Sequence, residues 1–294
     1  MAAFNNVLVV NDQLEGLDTA LHKAALIEHY TGCHIQLAAV VWNEIEDEEM
    51  PEHLKAELIE NFVAAERQGL RQLSEPLKEK VADVDVQAIW ARRSEEAITT
   101  LQQSTKADLL IKPAADSELL DYLYAPLDWR LIRNSACPVL ISKSAQWQTQ
   151  GHVLAAVDVA NPKHADINQK IIAAANTLAE VLAAQVHLVT VFPDLGQSVN
   201  ERQVAMDYAG LKADMRNDRQ QRLEKLALQV PRIADLHVLE GKAQRLVPHL
   251  ATTMNATITV VGTHARKGIG KLVLGNTAEK LLPRMQGDVL TVRL

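Results

Sequence analysis

Residues 6–12 read NVLVVND and residues 152–158 read HVLAAVD. Each is a short apolar run that closes on an aspartate. Four more pairs follow in the same order: IQLAAVV (35–41) with VHLVTVF (186–192), VDVQAIW (84–90) with ADLHVLE (234–240), KADLLI (106–111) with ATITVV (256–261), and CPVLISK (137–143) with GDVLTVR (287–293). The offset within each pair stays between about 146 and 151 residues. Five matched runs at so steady a spacing are the mark of one domain written twice. The copies are expected over residues 1–146 and 151–294, joined at the polar stretch SAQWQTQG (144–151).

Between these runs the apolar period becomes helical. In the second copy Ile167, Ile171, Ala174, Leu178 and Leu182 fall on one stripe of 165–185. A longer, mostly polar segment, 206–230, carries Leu211, Met215, Leu223 and Leu226. Shorter helices are expected over 243–254 and 276–285, the latter ending or bending at Pro283. Apolar strands alternating with helices predict parallel strands buried on both faces. Each copy is thus an α/β, doubly wound domain of five strands. The last run of each copy is expected at a sheet edge, and unpaired apolar edges are association sites. Pairing of these two edges would make the chain an internal pseudo-dimer.

The 294 residues are 48% hydrophobic and 23% charged, an ordinary globular composition. A net charge of −7 argues against general nucleic-acid binding, which depends on neutralising phosphates. Cys33 and Cys137 form no CxxC and no disulfide framework, which fits a reducing compartment. No apolar run approaches the ~20 residues that span a bilayer, and MAAFNNVLVVND lacks the layout of a signal peptide. The expected location is the cytoplasm.

The segment GTHARKGIGKLVLGNTAEK (262–280) follows the fourth strand of the second copy and combines four glycines with basic residues. Ligands of open α/β sheets sit at the carboxyl ends of the strands, where helix N-termini offer free N–H groups to anions. Glycine lets a backbone approach a phosphate without a Cβ in the way. It is not a Walker loop, because Gly270-Lys271 is followed by Leu272. Taken on spacing alone, a phosphate cradle and a plain surface loop both remain open.

These residues resemble the universal stress protein family, in particular its tandem-domain, E-type branch. Nucleotide-binding members end their fourth strand with Gly, two residues, Gly, nine residues, then Gly followed by Ser or Thr. The matching positions are Gly262, Ala265, Gly275 and Asn276, and GxH at 262–264 and LGNTAEK at 274–280 look familial as well. The resemblance runs through nearly the whole chain. It implies strand order 3-2-1-4-5, with the first-strand aspartate facing an adenosine at the switch point. Here that residue is Asp158, beside Ala156.

On that resemblance ATP is the expected ligand, with Mg²⁺ carried by its phosphates. The adenosine would lie near Ala156 and Asp158. The triphosphate would run along Gly262, His264 and Ala265 to the helix start at Gly275, Asn276 and Thr277. Two departures weaken the motif. Ala265 replaces a glycine, at roughly 1–2 kcal/mol if that position is left-handed. Asn276 replaces a hydroxyl, though its amide still donates and caps.

The first copy has Lys112 where the second has Gly262, and Ala125-Pro126 where the second has Gly275-Asn276. Pro126 lacks an N–H altogether. Asp12 persists, but without a phosphate loop. Trp42, Trp90 and Trp129 are expected near strand ends and a helix start, filling a disused crevice or lining an apolar small-molecule pocket. The ten histidines look scattered, with no HExxH, so metal binding is not expected. His237 and His249 read as structural. The acidic run EIEDEEMPE (44–52), before Leu54, Leu58, Phe62 and Ala65, reads as a solvated helix start or a docking loop. No nucleophile–base pair is evident, so the expected role is a stress-responsive binding module with at most slow ATP hydrolysis. The expected partners are a nucleotide, a protein client the sequence does not identify, and the chain's own edge strands. The alternatives are an interaction protein that binds no nucleotide, and a carrier of an apolar molecule through the first copy.

Overall fold

The computed structural model describes residues 4–11, 16–77, 81, 84–114, 126–143, 146–194, 208–263 and 280–294. The chain divides into two compact units, Ala3–Trp147 and Gln148–Leu294. In the N-terminal unit the strands are β1 (Asn6–Asn11), β2 (His34–Val41), β3 (Val84–Trp90), β4 (Leu109–Pro113) and β5 (Val139–Ser142). They interleave with helices α1 (Leu17–Thr31), α2 (Glu52–Ser74), α3 (Ser94–Thr105) and α4 (Pro126–Asn134). The C-terminal unit has β6 (His152–Ala156), β7 (Gln185–Phe192), β8 (Ile233–Glu240), β9 (Ala256–Thr263) and β10 (Asp288–Arg293), with α5 (Ala165–Val181), α6 (Tyr208–Ala227) and α7 (Ala243–Thr253).

Within the N-terminal unit the strands run β3-β2-β1-β4-β5, all parallel. Within the C-terminal unit they run β10-β9-β6-β7-β8, again all parallel, which is the same order from the other side. Both copies therefore have the doubly wound 3-2-1-4-5 arrangement. The near-continuous apolar runs follow from it, since parallel strands are covered on both faces. Val7, Leu8, Val9 and Val10 of β1 are all buried, as are Val153, Leu154 and Ala155 of β6. Ile167, Ile171, Ala174, Leu178 and Leu182 are buried along α5.

Local chemistry explains several boundaries. Gly32 ends α1 in the left-handed conformation at φ 68°, and its N–H reaches the Glu28 carbonyl. Lys106 caps α3 in the same way at φ 53°, so β4 opens at Leu109 rather than at the head of KADLLI. Between them, Asp108 clamps the amino ends of β1 and β4 by accepting from the backbone N–H groups of Asn5 and Asn6 at 2.8–3.0 Å. Pro248 lies inside α7, where a missing N–H would leave the Gln244 carbonyl without its helical donor. Arg284 fills that gap, placing Nη1 3.3 Å from the Gln244 oxygen. Pro283 sits in a single 3-10 turn, Leu282–Arg284, before β10.

The apolar stripe of α2 does not enter a core in the described residues. Leu54, Leu58 and Phe62 remain exposed, and the helix buries its far end through Leu70 and Ser74. Replacing Arg284 with Met should strand the Gln244 carbonyl, and we expect a loss of about 1 kcal/mol in urea unfolding. An unchanged midpoint would show that water serves that carbonyl equally well.

Candidate functional site

In each unit the first and fourth strands are neighbours whose chains leave in opposite directions along the sheet, which makes the gap between their carboxyl ends the switch point. In the C-terminal unit this gap lies between β6 and β9. Ala156 ends β6 in register with Val261, one residue before Gly262. Asp158 follows two residues after Ala156. The structure thus brings Ala156, Asp158 and Gly262 to one place. His264, Ala265, Gly275, Asn276 and Thr277 lie outside the described residues.

Asp158 is held from several sides. Its Oδ1 accepts the Ala160 N–H at 2.9 Å, and its Oδ2 lies 2.7 Å from His164 Nδ1. Its main chain is bracketed by Asn168, whose Oδ1 accepts the Asp158 N–H at 3.1 Å and whose Nδ2 donates to the Asp158 carbonyl at 2.8 Å. Asn168 is buried on α5. The carboxylate therefore caps the turn that leads into α5 while its side chain stays 49% exposed. The sequence reading missed His164 and Asn168. A buried-stripe asparagine ten residues after a strand-end aspartate was the signal that could have found them.

Gly262 has a reason of its own. A Cβ there would lie 2.7 Å from Ile167 Cγ1 and 3.1 Å from Ile171 Cδ1. The glycine thus lets α5 press against the end of β9, and no positive φ is involved.

The N-terminal unit treats the same point oppositely. Lys112 pairs in register with Ile141 on β5, as Gly262 pairs with Val292 on β10. Its side chain is wholly buried, with Nζ 2.9 Å from Asp128 Oδ1 at the start of α4 and 2.9 Å from the Pro113 carbonyl. Asp128 is buried as well. A second buried ammonium lies nearby in the fold: Lys23 donates to Ser142 Oγ at 3.0 Å and to the Lys143 carbonyl at 2.8 Å. In the first copy an internal ion pair therefore fills the end of the fourth strand, where the second copy has a bare glycine. Trp42 directly follows β2 and Trp90 ends β3, and both indole N–H groups turn to Glu46 Oε2, at 2.7 and 3.3 Å. Trp129 is half-buried on α4.

Neither cysteine is disposed to act as a nucleophile. Burial pushes the Cys137 thiol up to about 11, and burial raises Cys33 as well. Among the described residues no group of three His, Cys, Asp or Glu side chains is arranged to hold a metal ion. No described helix is long and apolar enough to cross a membrane.

Comparison with known proteins accords with this doubling. The family model for the universal stress proteins matches residues 3–143 and again 151–293. A universal stress protein E of Photorhabdus laumondii is 28% identical, covering all of this chain and 96% of its own. The Escherichia coli K12 protein of that name is 27% identical, covering all of this chain and 95% of its own. A crystal structure of a Pseudomonas aeruginosa PAO1 protein of unknown function superposes with a TM-score of 0.74 at 31% identity, over 99% of this chain and 93% of that one.

Two substitutions test the contrast between the halves. Lys112→Met leaves the Asp128 carboxylate buried without its cation and should cost about 3–5 kcal/mol in denaturant unfolding. Adding Asp128→Leu should recover most of that loss, and two additive losses would contradict the pairing. Gly262→Ala should cost about 1–3 kcal/mol through overpacking against α5, and shortening Ile167 to Val should relieve part of it.

Proposed function

The chain belongs to the universal stress protein family, with two of its domains in tandem, and on that premise we propose that it is a nucleotide-responsive binding protein that takes one ATP in its C-terminal domain. The observation that carries this reading is the contrast between positions 112 and 262. In the N-terminal domain a buried ion pair, Lys112 with Asp128, occupies the end of the fourth strand. In the C-terminal domain that position carries no side chain, and the segment that follows it is rich in glycine and basic residues.

The adenosine side of the crevice fits such a ligand. Asp158, its main chain held by Asn168, offers a half-open carboxylate, and an acceptor of this kind suits a ribose hydroxyl. The phosphates, with Mg²⁺ bound to them, are assigned to Gly262, His264, Ala265 and the Gly275–Asn276–Thr277 helix start. Bound nucleotide supplies charge and a conformational signal. The described residues offer no base aimed at a phosphate, so binding rather than turnover is the proposed role. The wider setting is cytoplasmic survival under stress, with a protein client read out by surface contact.

A second reading rests on the exposed stripe Leu54, Leu58 and Phe62 of α2. On that reading the protein acts through surfaces alone and needs no nucleotide.

Calorimetry and thermal melting with Mg²⁺ and ATP separate the two. At ligand concentrations 100-fold above Kd the stabilisation should be about 2.7 kcal/mol. For a domain of this size that is a rise of roughly 5–10 °C. Gly275→Val should remove both heat and shift while the far-ultraviolet spectrum stays unchanged. If millimolar ATP produces neither in the native sequence, the surface reading takes its place.

A further inference from the structure

Three histidines that are far apart in the sequence meet on one face of the C-terminal sheet. His152 opens β6, His187 lies on β7 and His237 on β8. His187 Nε2 is 3.1 Å from His152 Nδ1, and His187 Nδ1 is 3.2 Å from His237 Nε2. The first pair of rings meets edge-on and the second is nearly parallel, with centroids 5.0 and 5.4 Å apart. Strand register puts them on a common face, since Leu154 pairs with His187 and Val189 with His237. His187 is the centre of the row and uses both ring nitrogens within it.

Counting protons shows what the row tolerates. Each N···N bridge holds one hydrogen, and the two outer nitrogens, His152 Nε2 and His237 Nδ1, hold one each. Three neutral imidazoles bring three hydrogens, so the neutral row is satisfied. One further proton fills the last place. A second further proton has to set two N–H groups facing each other across a bridge, and that bridge opens.

We propose that the His152–His187–His237 row is an acid-sensitive latch, closed when neutral and opened by multiple protonation, which loosens the β6–β7–β8 part of the C-terminal domain. The charged surroundings agree. Facing His187 are His152 from β6 and His237 from β8, whose positive charges oppose its own, and Asp235 from β8, which favours it. Asp235 lies 3.8 Å from His237 Nε2 and is largely exposed. α7, which also packs against β7, carries Arg245 and His249, both exposed. α5 and α6 pack against β7 from the opposite face, because His187 alternates with Leu188 on the side that Gly262 presents to α5.

Burial first, and the two neighbouring histidines next, lower the His187 pKa to about 4. The unfolded chain takes up this proton near the ordinary value of about 6.5. Between those limits the unfolded state binds more protons than the folded one. The latch therefore contributes fully above about pH 6.5 and loses its contribution as the pH falls towards 4.

Hydrogen exchange of the full chain at pH 7 and pH 5, corrected for intrinsic rates, tests this. Amides of β6, β7 and β8 should lose at least about tenfold in protection at pH 5, while β1, β2 and β4 do not. His187→Leu should remove the difference, and His29→Gln, on an exposed helix end, should keep it. Imidazole-labelled native protein gives a reading that needs no stable variant: the His187 resonance should titrate at least one pH unit below the ordinary histidine value of about 6.5. Ordinary titration of His187, or pH-independent protection of β6–β8 in the native chain, would overturn the latch. So would a zinc-dependent rise in melting temperature that His187→Leu abolishes, since it would make the row a metal site.

Discussion

The space at the carboxyl end of the fourth strand has to be filled, and the two halves of this chain fill it differently. A parallel strand covered on both faces leaves its last residues beside a helix packed on one side and a helix start on the other. In the N-terminal domain a lysine reaches into that space, and an aspartate on α4 neutralises it. A buried ammonium without a partner is costly, so Lys112 and Asp128 stand or fall together. In the C-terminal domain the strand carries glycine and the first helix moves in, with Ile167 and Ile171 against the bare backbone. The same topology thus yields one stopped crevice and one whose closing residue has no side chain.

Duplication makes this asymmetry informative. Both domains share strand order, so topology alone cannot distinguish them. The difference lies in a few polar groups at the switch point. Asn168 fixes the course of the chain around Asp158 and leaves the carboxylate half open. The N-terminal domain spends its polar groups inward, where Lys23 and Lys112 both end on carbonyls or buried partners.

Much of the fold was legible because it depends on apolar runs that repeat. β3 runs over Val84–Trp90, as VDVQAIW suggested, and the α5 stripe is buried at every expected position. Boundaries set by single backbone conformations were less visible: Lys106 reads as the head of a strand but caps a helix. The site was legible only in part. Gly262 stood out as a phosphate-loop glycine, yet its immediate neighbour is helix α5, a contact that needs three-dimensional packing to see. Lys112 was recognised as a substitution, but its partner Asp128 lies 16 residues on, in helix α4. The histidine row was invisible for the same reason. Its members are separated by 35 and 50 residues, and only the register of three strands brings them together.

Native mass spectrometry of the full chain in Mg²⁺ and ATP tests the central asymmetry most directly. The account predicts one nucleotide per chain, retained in Lys112→Met and lost in Gly275→Val. Two nucleotides per chain, or one that persists when Gly275 is replaced, would contradict it.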